Sequence, residues 1–365
     1  MKIAIIADSI DTQQAGIYQY TLQMTQSLAL YDKKNEYFLI HSKEFYPIPN
    51  LNQVLVRSFG TTHKLNPFRL FFDIPKTIKE LEINLVIEPA HFGPFNLPNY
   101  VKRITVIHDL TPLLFPKFHT ITSIIAHKLL LKHIIKKTNR VIVNSQNTES
   151  DVQKLYPKAK TKLIYPGKDV FFSPNKDSQI LDKYKITLQY ILSVGTIEPR
   201  KNHLVLLKAY EKFRYNYNVA VKLVIVGGYG WKNTNFFKAL DKHPYKEDIL
   251  LLGYVSKDDL RVLYSMAKLM IYPSFYEGFG FPILEAMSCG CPVIAGNNSS
   301  LLEVGGRAAE FFDAESALDL SKKIEEILSD MEKLKEMSKK GLTQSNQFSW
   351  KRFSIQMSDV FTNLF

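Results

Sequence analysis

A rhythm of short apolar runs leaves this chain few folds to choose from. KIAIIAD, YFLIHS, NLVIEP, RITVIHD, RVIVNS and KLIYPG occur in the first half, and YILSVG, VKLVIVGG, DILLLGYV, KLMIYPS and CPVIAG in the second. A strand with one wet face alternates apolar and polar residues, whereas a strand covered on both faces reads as a continuous apolar run. These runs therefore predict parallel strands under crossover helices. Helix-like segments such as 201–214 and 256–266 follow them, which predicts an α/β fold. At 365 residues the chain exceeds what one core sustains. The rhythm breaks over 166–188, where Pro, Gly and charged residues gather, so two α/β domains are expected, 1–170 and 171–347.

With 45% hydrophobic and 22% charged residues, the chain is neither disordered nor a disulfide scaffold. The only cysteines, Cys289 and Cys291, sit in a small-residue segment entering an apolar run and read as core thiols. The N-terminal apolar run is too short for a signal peptide and is broken by Asp8, and no later window has the length of a membrane span. A cytoplasmic location is expected. The net charge of +12 is uneven, with 22 Lys and Arg against 13 Asp and Glu in residues 1–170. Such a field suits nucleic acid, an anionic membrane or a phosphorylated substrate, and does not choose among them.

The stretch YPSFYEGFGFPILEAMSCGCPVIAG, 272–296, carries the most chemistry. Gly278 and Gly280 imply a loop that needs positive φ or a close backbone approach to a ligand. Pro282 suits the first turn of a helix starting near Phe281, and a helix start attracts phosphate. Glu277 before that helix and Glu285 near its first turn bring two carboxylates to one bound molecule, and two acids beside a phosphate suggest a sugar. In open α/β sheets ligands collect at the carboxyl ends of strands. The candidates there are Asp8, Glu88, His108, Asp109, Ser145, residues 195–201, Gly227, Gly228 and Glu277.

Arg200 and Lys201, in SVGTIEPRKNH, stand at a helix start near Asn202, where the helix dipole disfavours cations unless an anion binds. Together they suit a diphosphate held without a metal ion; the alternative is a solvated turn with Glu198 as partner. His108 ends the strand RITVIHD beside Asp109, which fits either an active-site or a structural histidine. Gly16, in DTQQAGIYQYT, falls just before a helix in a loop open to a ligand. VGGYGW, 226–231, lacks the spacing of a dinucleotide fingerprint. Ser256 with Asp259 reads as a helix cap rather than a metal site.

In this order and spacing, VIHDL, VGTIEPRKN, LGYVS and YPSFYEGFGFPILEAMSCGCPVIA resemble glycosyltransferase family 4 of the GT-B class over nearly the whole chain. EGFGFPILEAM, with two glutamates separated by seven residues, is the most specific piece. The resemblance implies two Rossmann-like domains facing each other across a cleft, the last helix, 348–365, crossing back to the first. It implies a retaining transfer of a hexose, of mannose or glucose type, from a GDP- or UDP-sugar, without a catalytic metal or other cofactor. The acceptor would be a glycan or polyprenyl-linked glycan in bacterial surface polysaccharide synthesis. By resemblance, Glu285 binds ribose, and Glu277 the donor sugar with the amides of Gly278, Phe279 and Gly280 nearby. Arg200 and Lys201 hold the diphosphate, His108 lies beside the transferred sugar, Tyr254 and Val255 meet the base, and Gly16 lies under the phosphates. Many members have paired glycines where this chain has Ala15-Gly16. Departure and attack would share one sugar face, with the leaving phosphate helping to deprotonate the acceptor.

A sugar-nucleotide epimerase of similar shape and a basic nucleic-acid-binding protein are the alternatives; the glycine loop has no purpose in the second, and no nucleic-acid partner is expected. In IIAHKLLLKHIIKKTNR, 124–140, Lys128, Lys132, Lys136 and Arg140 recur every four residues, so on one helix each advances about 40° and they share a face. Ile124, Leu131, Ile134 and Ile135 lie on the neighbouring arc. This describes either a core helix with a solvated basic face or a peripheral anchor on the inner face of an anionic membrane.

Overall fold

The apolar runs fold as strands in the computed structural model, which describes residues 1–12, 15–43, 48–57, 68–187, 189–217 and 220–365. The chain divides into one unit of Met1–Gly167 with Ser349–Phe365 and a second of Lys168–Phe348. The first holds strands β1 (Lys2–Ile6), β2 (Glu36–His41), β3 (Asn52–Leu55), β4 (Leu85–Glu88), β5 (Lys102–Ile107), β6 (Arg140–Val143) and β7 (Thr161–Leu163). They lie in the order β3-β2-β1-β4-β5-β6-β7. The second unit holds β8 (Tyr190–Val194), β9 (Lys222–Val226), β10 (Ile249–Gly253), β11 (Leu269–Tyr272), β12 (Val293–Gly296) and β13 (Ala309–Phe312), ordered β10-β9-β8-β11-β12-β13. Every pairing described is parallel, as in β8 on β11 with Ile191 opposite Leu269.

Both sheets follow the doubly wound order, in which the chain winds one way from the first strand and then the other way from its neighbour. In the second sheet the reversal falls between β8 and β11, and in the first between β1 and β4. Crossover helices bury these strands on both faces, which is why the runs are continuously apolar. Ile191, Leu223, Ile225, Leu269, Ile271 and Ile294 join Leu206, Tyr210 and Phe213 in the second unit's core.

Two strands escaped the sequence pattern. β3 (NQVL) and β13 (AEFF) are edge strands with partial solvent contact, so neither is a continuous apolar run. The last helix, Trp350–Thr362, belongs to the first unit; the rings of Trp350 and Phe353 pack edge-on to Tyr20, and Ser358 donates to Asp32 at 2.9 Å. Gly16 is not in a loop but is the second residue of the helix Ala15–Tyr31, and Gln13 and Gln14 of the expected ligand-binding loop lie outside the described residues.

The basic segment has the burial of the core-helix alternative, with Lys128, Lys132 and Lys136 exposed, but it is not one regular helix. Ile121–Ala126 and Lys132–Lys137 are α-helical but are joined by a π-helical turn, His127–Leu131, and the helix ends before Arg140, which stands on β6. Arg140 therefore does not extend the row of Lys128, Lys132 and Lys136. Leu131, Ile134 and Ile135 are buried in the unit's core, and Ile124 is half-buried, so that arc faces protein. The exposed apolar residues are instead Ile121 (74%), Ile125 (49%) and Leu129 (70%). Among the described residues no helix is long and apolar enough to cross a membrane.

Candidate active site

Connections leave β8 and β11 in opposite directions, and two loops emerge at their carboxyl ends. Residues 195–201 follow β8, and residues 273–280 follow β11. The first loop carries Arg200 and Lys201 on a short 3₁₀ turn, Pro199–Lys201, one residue before the helix His203–Asn216 rather than inside it. Asn202, left-handed at φ 57, makes the bend and donates to the Pro273 and Ala314 carbonyls at 3.1 and 2.7 Å, which ties three strand ends together.

Both cations converge on one carboxylate. Lys201 Nζ donates to Glu277 Oε1 at 2.7 Å and to the Tyr272 hydroxyl at 2.6 Å, and Arg200 reaches Glu277 Oε2 at 2.8 Å. Arg200 also donates to Glu198 at 2.9 Å, so the solvated-turn alternative named the right partner but missed the larger network. Burial alone would push the Glu277 carboxyl up; the Arg200 and Lys201 charges overcome it and hold it down at about 2. For Lys201, burial prevails over the attraction of Glu277 and lowers its pKa. Glu277 is thus a fixed anion that can accept hydrogen bonds but has no proton to give.

The loop after Glu277 is shaped from a second segment. Gly280 is left-handed at φ 109 and caps the helix Phe281–Ser288, with Pro282 in its first turn as the sequence implied. Ser300 Oγ donates to the carbonyls of Glu277 and Phe279 at 2.9 and 2.8 Å, and Ser299 Oγ accepts the Glu277 amide at 3.0 Å. Ser299, Ser300 and Tyr272 were not among the sequence candidates. The signal for the serines was present: NNSS directly follows β12, at the same carboxyl edge.

Glu285 lies in the second turn of that helix and accepts a hydrogen bond from the buried Tyr264 hydroxyl at 3.0 Å. Burial pushes its carboxyl up to about 7, against the lowering effect of the Tyr264 bond. At the end of β10, Tyr254 is 92% exposed while Val255 is buried. In VGGYGW, a Cβ on Gly227 (φ 148) would meet the Gly195 carbonyl oxygen at 2.2 Å. That glycine lets the 195–198 loop pass over it, which gives the stretch a role without a dinucleotide. Ser256 caps the helix Lys257–Met266 by accepting the Asp259 amide, while the Asp259 side chain binds Lys183 and Tyr184. Cys289 and Cys291 are buried, and burial pushes the Cys289 thiol up to about 12.

In the first unit, His108 directly follows β5 and is buried. Its Nε2 lies 2.6 Å from the Pro89 carbonyl, which can only accept, so Nε2 carries the hydrogen and Nδ1 keeps its lone pair. Burial lowers its pKa, and the ring stays neutral. The other acids and the serine at these strand ends have partners of their own. Asp8 takes a two-pronged bond from Arg69 at 2.6 and 2.7 Å, and Glu88 takes Thr105 at 2.8 Å with Arg103 at 3.1 Å. Ser145 caps the helix Gln146–Leu155, and Asp109 accepts from Thr111.

The family model "Glycosyl transferases group 1" matches residues 177–344, the segment that holds the Arg200, Lys201 and Glu277 network. The O-antigen chain mannosyltransferase B of Escherichia coli is 30% identical over 99% of this chain and 99% of its own. The chain belongs to the group 1 glycosyl transferases. Sucrose-phosphate synthase from Thermosynechococcus elongatus superposes with a TM-score of 0.79 at 19% identity, covering 100% of this chain and 99% of that one. Anabaena Alr3699/HepE, in complex with UDP and glucose, gives 0.76 at 16%, covering all of both chains. These likenesses place the glycosyl transferase in the GT-B fold, and the epimerase and nucleic-acid readings are not favoured.

Proposed function

We propose that this glycosyl transferase moves a hexose, of mannose or glucose type, from a GDP- or UDP-sugar to a glycan or polyprenyl-linked glycan during bacterial surface polysaccharide synthesis. The observation that carries the proposal is the convergence of Lys201 and Arg200 on Glu277 at the strand reversal of the second sheet. The full-length relative acts on O-antigen chains as a mannosyltransferase, which supports mannose and that acceptor class.

The chemistry follows from the residues. A nucleoside diphosphate departs once its charge is neutralised, and Arg200 with Lys201 supply two fixed cations without a metal. As the diphosphate takes them, Glu277 is left to accept the hydroxyls of the donor sugar, helped by the amides of Gly278, Phe279 and Gly280. Glu285 takes the ribose hydroxyls, Tyr254 and Val255 meet the base, and Gly16 approaches the phosphates. His108, neutral and with Nδ1 free to accept, sits beside the transferred sugar. No step needs an enzyme nucleophile, which suits retention by departure and attack on one face.

The test is turnover with GDP-mannose, UDP-glucose and related donors. Lys201→Ala should lower kcat by about 10²-fold, the scale of a lost transition-state donor. A variant that folds and turns over normally would remove the assignment. A peripheral location is supported by the exposed set Ile121, Ile125 and Leu129 beside Lys128, Lys132 and Lys136: apolar side chains flanked by cations suit binding to an anionic leaflet, each cation contributing about 1 kcal/mol. The protein should sediment with anionic vesicles, not neutral ones, and release in high salt. Equal binding to both, or to neither, argues for a soluble acceptor.

A further inference from the structure

His91, three residues beyond β4, is buried and left-handed at φ 65. A residue other than glycine held there is strained and persists where its surroundings over-determine it. What surrounds His91 is a one-way chain of hydrogen bonds. The Ser123 carbonyl can only accept, so His127 Nδ1, 2.8 Å away, carries the hydrogen and His127 Nε2 keeps its lone pair. His91 Nδ1 lies 3.5 Å from that lone pair and donates to it. His91 Nε2 is then left as an acceptor, and it receives the backbone amide of His108 at 2.8 Å. The rings stand 5.7 Å from His127 and 5.5 Å from His108, with Phe92 edge-on to His127 at 4.9 Å. Burial, reinforced by the neighbouring His108, holds His91 at about 3, so its ring is neutral, as this chain of bonds requires. The far end of the chain is on the π-helical turn His127–Leu131, an irregularity that recurs at functional sites.

We propose that His91 is a positioning residue for His108: by accepting the His108 amide it fixes how the chain leaves β5, and through His127 it anchors that point to the 121–137 helix. This rests on the reading of His108 as an active-site residue. A histidine that only filled space would need neither one tautomer nor a strained backbone.

Two substitutions separate the roles, because Gln reproduces the position of Nε2 and Asn that of Nδ1. His91→Gln keeps an acceptor for the His108 amide and loses the bond to His127; His91→Asn does the reverse. Asn tolerates left-handed backbone better than Gln, so Asn should be the more stable of the two. Activity should run the other way. With GDP-mannose as the probe donor, Gln should stay within about threefold of the unaltered chain, the scale of one neutral hydrogen bond. Asn should lose about tenfold or more in kcat with little change in donor KM, the mark of a misplaced group. Histidine ¹⁵N spectra of the unaltered protein should show His91 protonated at Nδ1 only. A His91 proton on Nε2, or equal activity losses in both variants, overturns the proposal. His108→Ala is measured alongside; full turnover in it would sink the active-site reading of His108 instead, a failure distinguishable because the spectrum would still show the His91 tautomer.

Discussion

Replacing Glu285 by Gln should make the protein more stable and a poorer binder of nucleotide. Burial has moved the Glu285 carboxyl from its ordinary 4.5 to about 7. A raised folded-state pKa means that the native state holds a proton that the unfolded state has released, so stability falls as pH climbs through this window. The gap sets a ceiling of about 3 kcal/mol of destabilisation above pH 7. The side chain is not fully shielded from solvent, so a relief of about 1–2 kcal/mol on substitution is the reasonable expectation. Gln keeps an oxygen for the Tyr264 hydroxyl, so the bond at 3.0 Å need not be lost. The ligand reverses the preference, since only an ionised carboxylate accepts two ribose hydroxyls. About one tenth of the carboxyl is ionised at pH 6 and about nine tenths at pH 8, so nucleotide affinity should rise about tenfold over that range. Calorimetric titration with UDP and GDP across pH, paired with thermal melts, measures both effects. The diphosphate's own ionisation appears in both chains and cancels in the comparison; Glu88, pushed up to about 7 by burial, cancels in the melts for the same reason. If the variant melts lower than the parent at pH 8, or binds with the same pH slope, the burial argument is wrong.

Ser300→Ala removes the buried hydroxyl that reaches the Glu277 and Phe279 carbonyls, and should cost about 1–3 kcal/mol by leaving acceptors unsatisfied. Denaturant melts would show it; no change in midpoint would mean that water replaces the serine. Gly227→Ala drives a methyl into the Gly195 carbonyl oxygen at 2.2 Å and should destabilise by about 3 kcal/mol or more, whereas Gly228→Ala, with open space around its Cβ, should be far milder. Equal melting temperatures for the pair would contradict the close approach of the two loops. Tyr272→Phe keeps the ring under Lys201 at 4.9 Å but removes the hydroxyl at 2.6 Å, and should lower kcat more than it lowers stability. A loss confined to the melting temperature would give Tyr272 a packing role only.

What the sequence disclosed depended on whether a residue's surroundings are local. The strand ends were legible because burial on both faces leaves an unbroken apolar run that stops where the sheet stops, and Arg200, Lys201 and Glu277 lie on the loops that begin at such stops. β3 and β13 were not: NQVL and AEFF are partly wet edge strands whose polar residues leave no apolar run long enough to read, unlike the edge strands β7 and β10. Helical spacing over 121–137 was legible in its burial, since Leu131, Ile134 and Ile135 face the core and Lys128, Lys132 and Lys136 the solvent as a core helix with a basic face requires, but the π turn His127–Leu131 and the end of the helix before Arg140 were not. His91 has no sequence signature, because a left-handed histidine is chosen by partners 17 and 36 residues away.

Ser300 also limits how far the glycine loop can be transplanted. The curve of EGFGFP is held by a hydroxyl that arrives 23 residues after Glu277, on the far side of a helix and a strand. Copied alone onto another sheet, the hexapeptide would keep its glycines and its glutamate but lose the hydroxyl that binds two of its carbonyls. The unit of inheritance is therefore the whole strand–loop–helix–strand–loop module from β11 to Ser300. An engineer moving the donor site to a new scaffold would have to carry all of it.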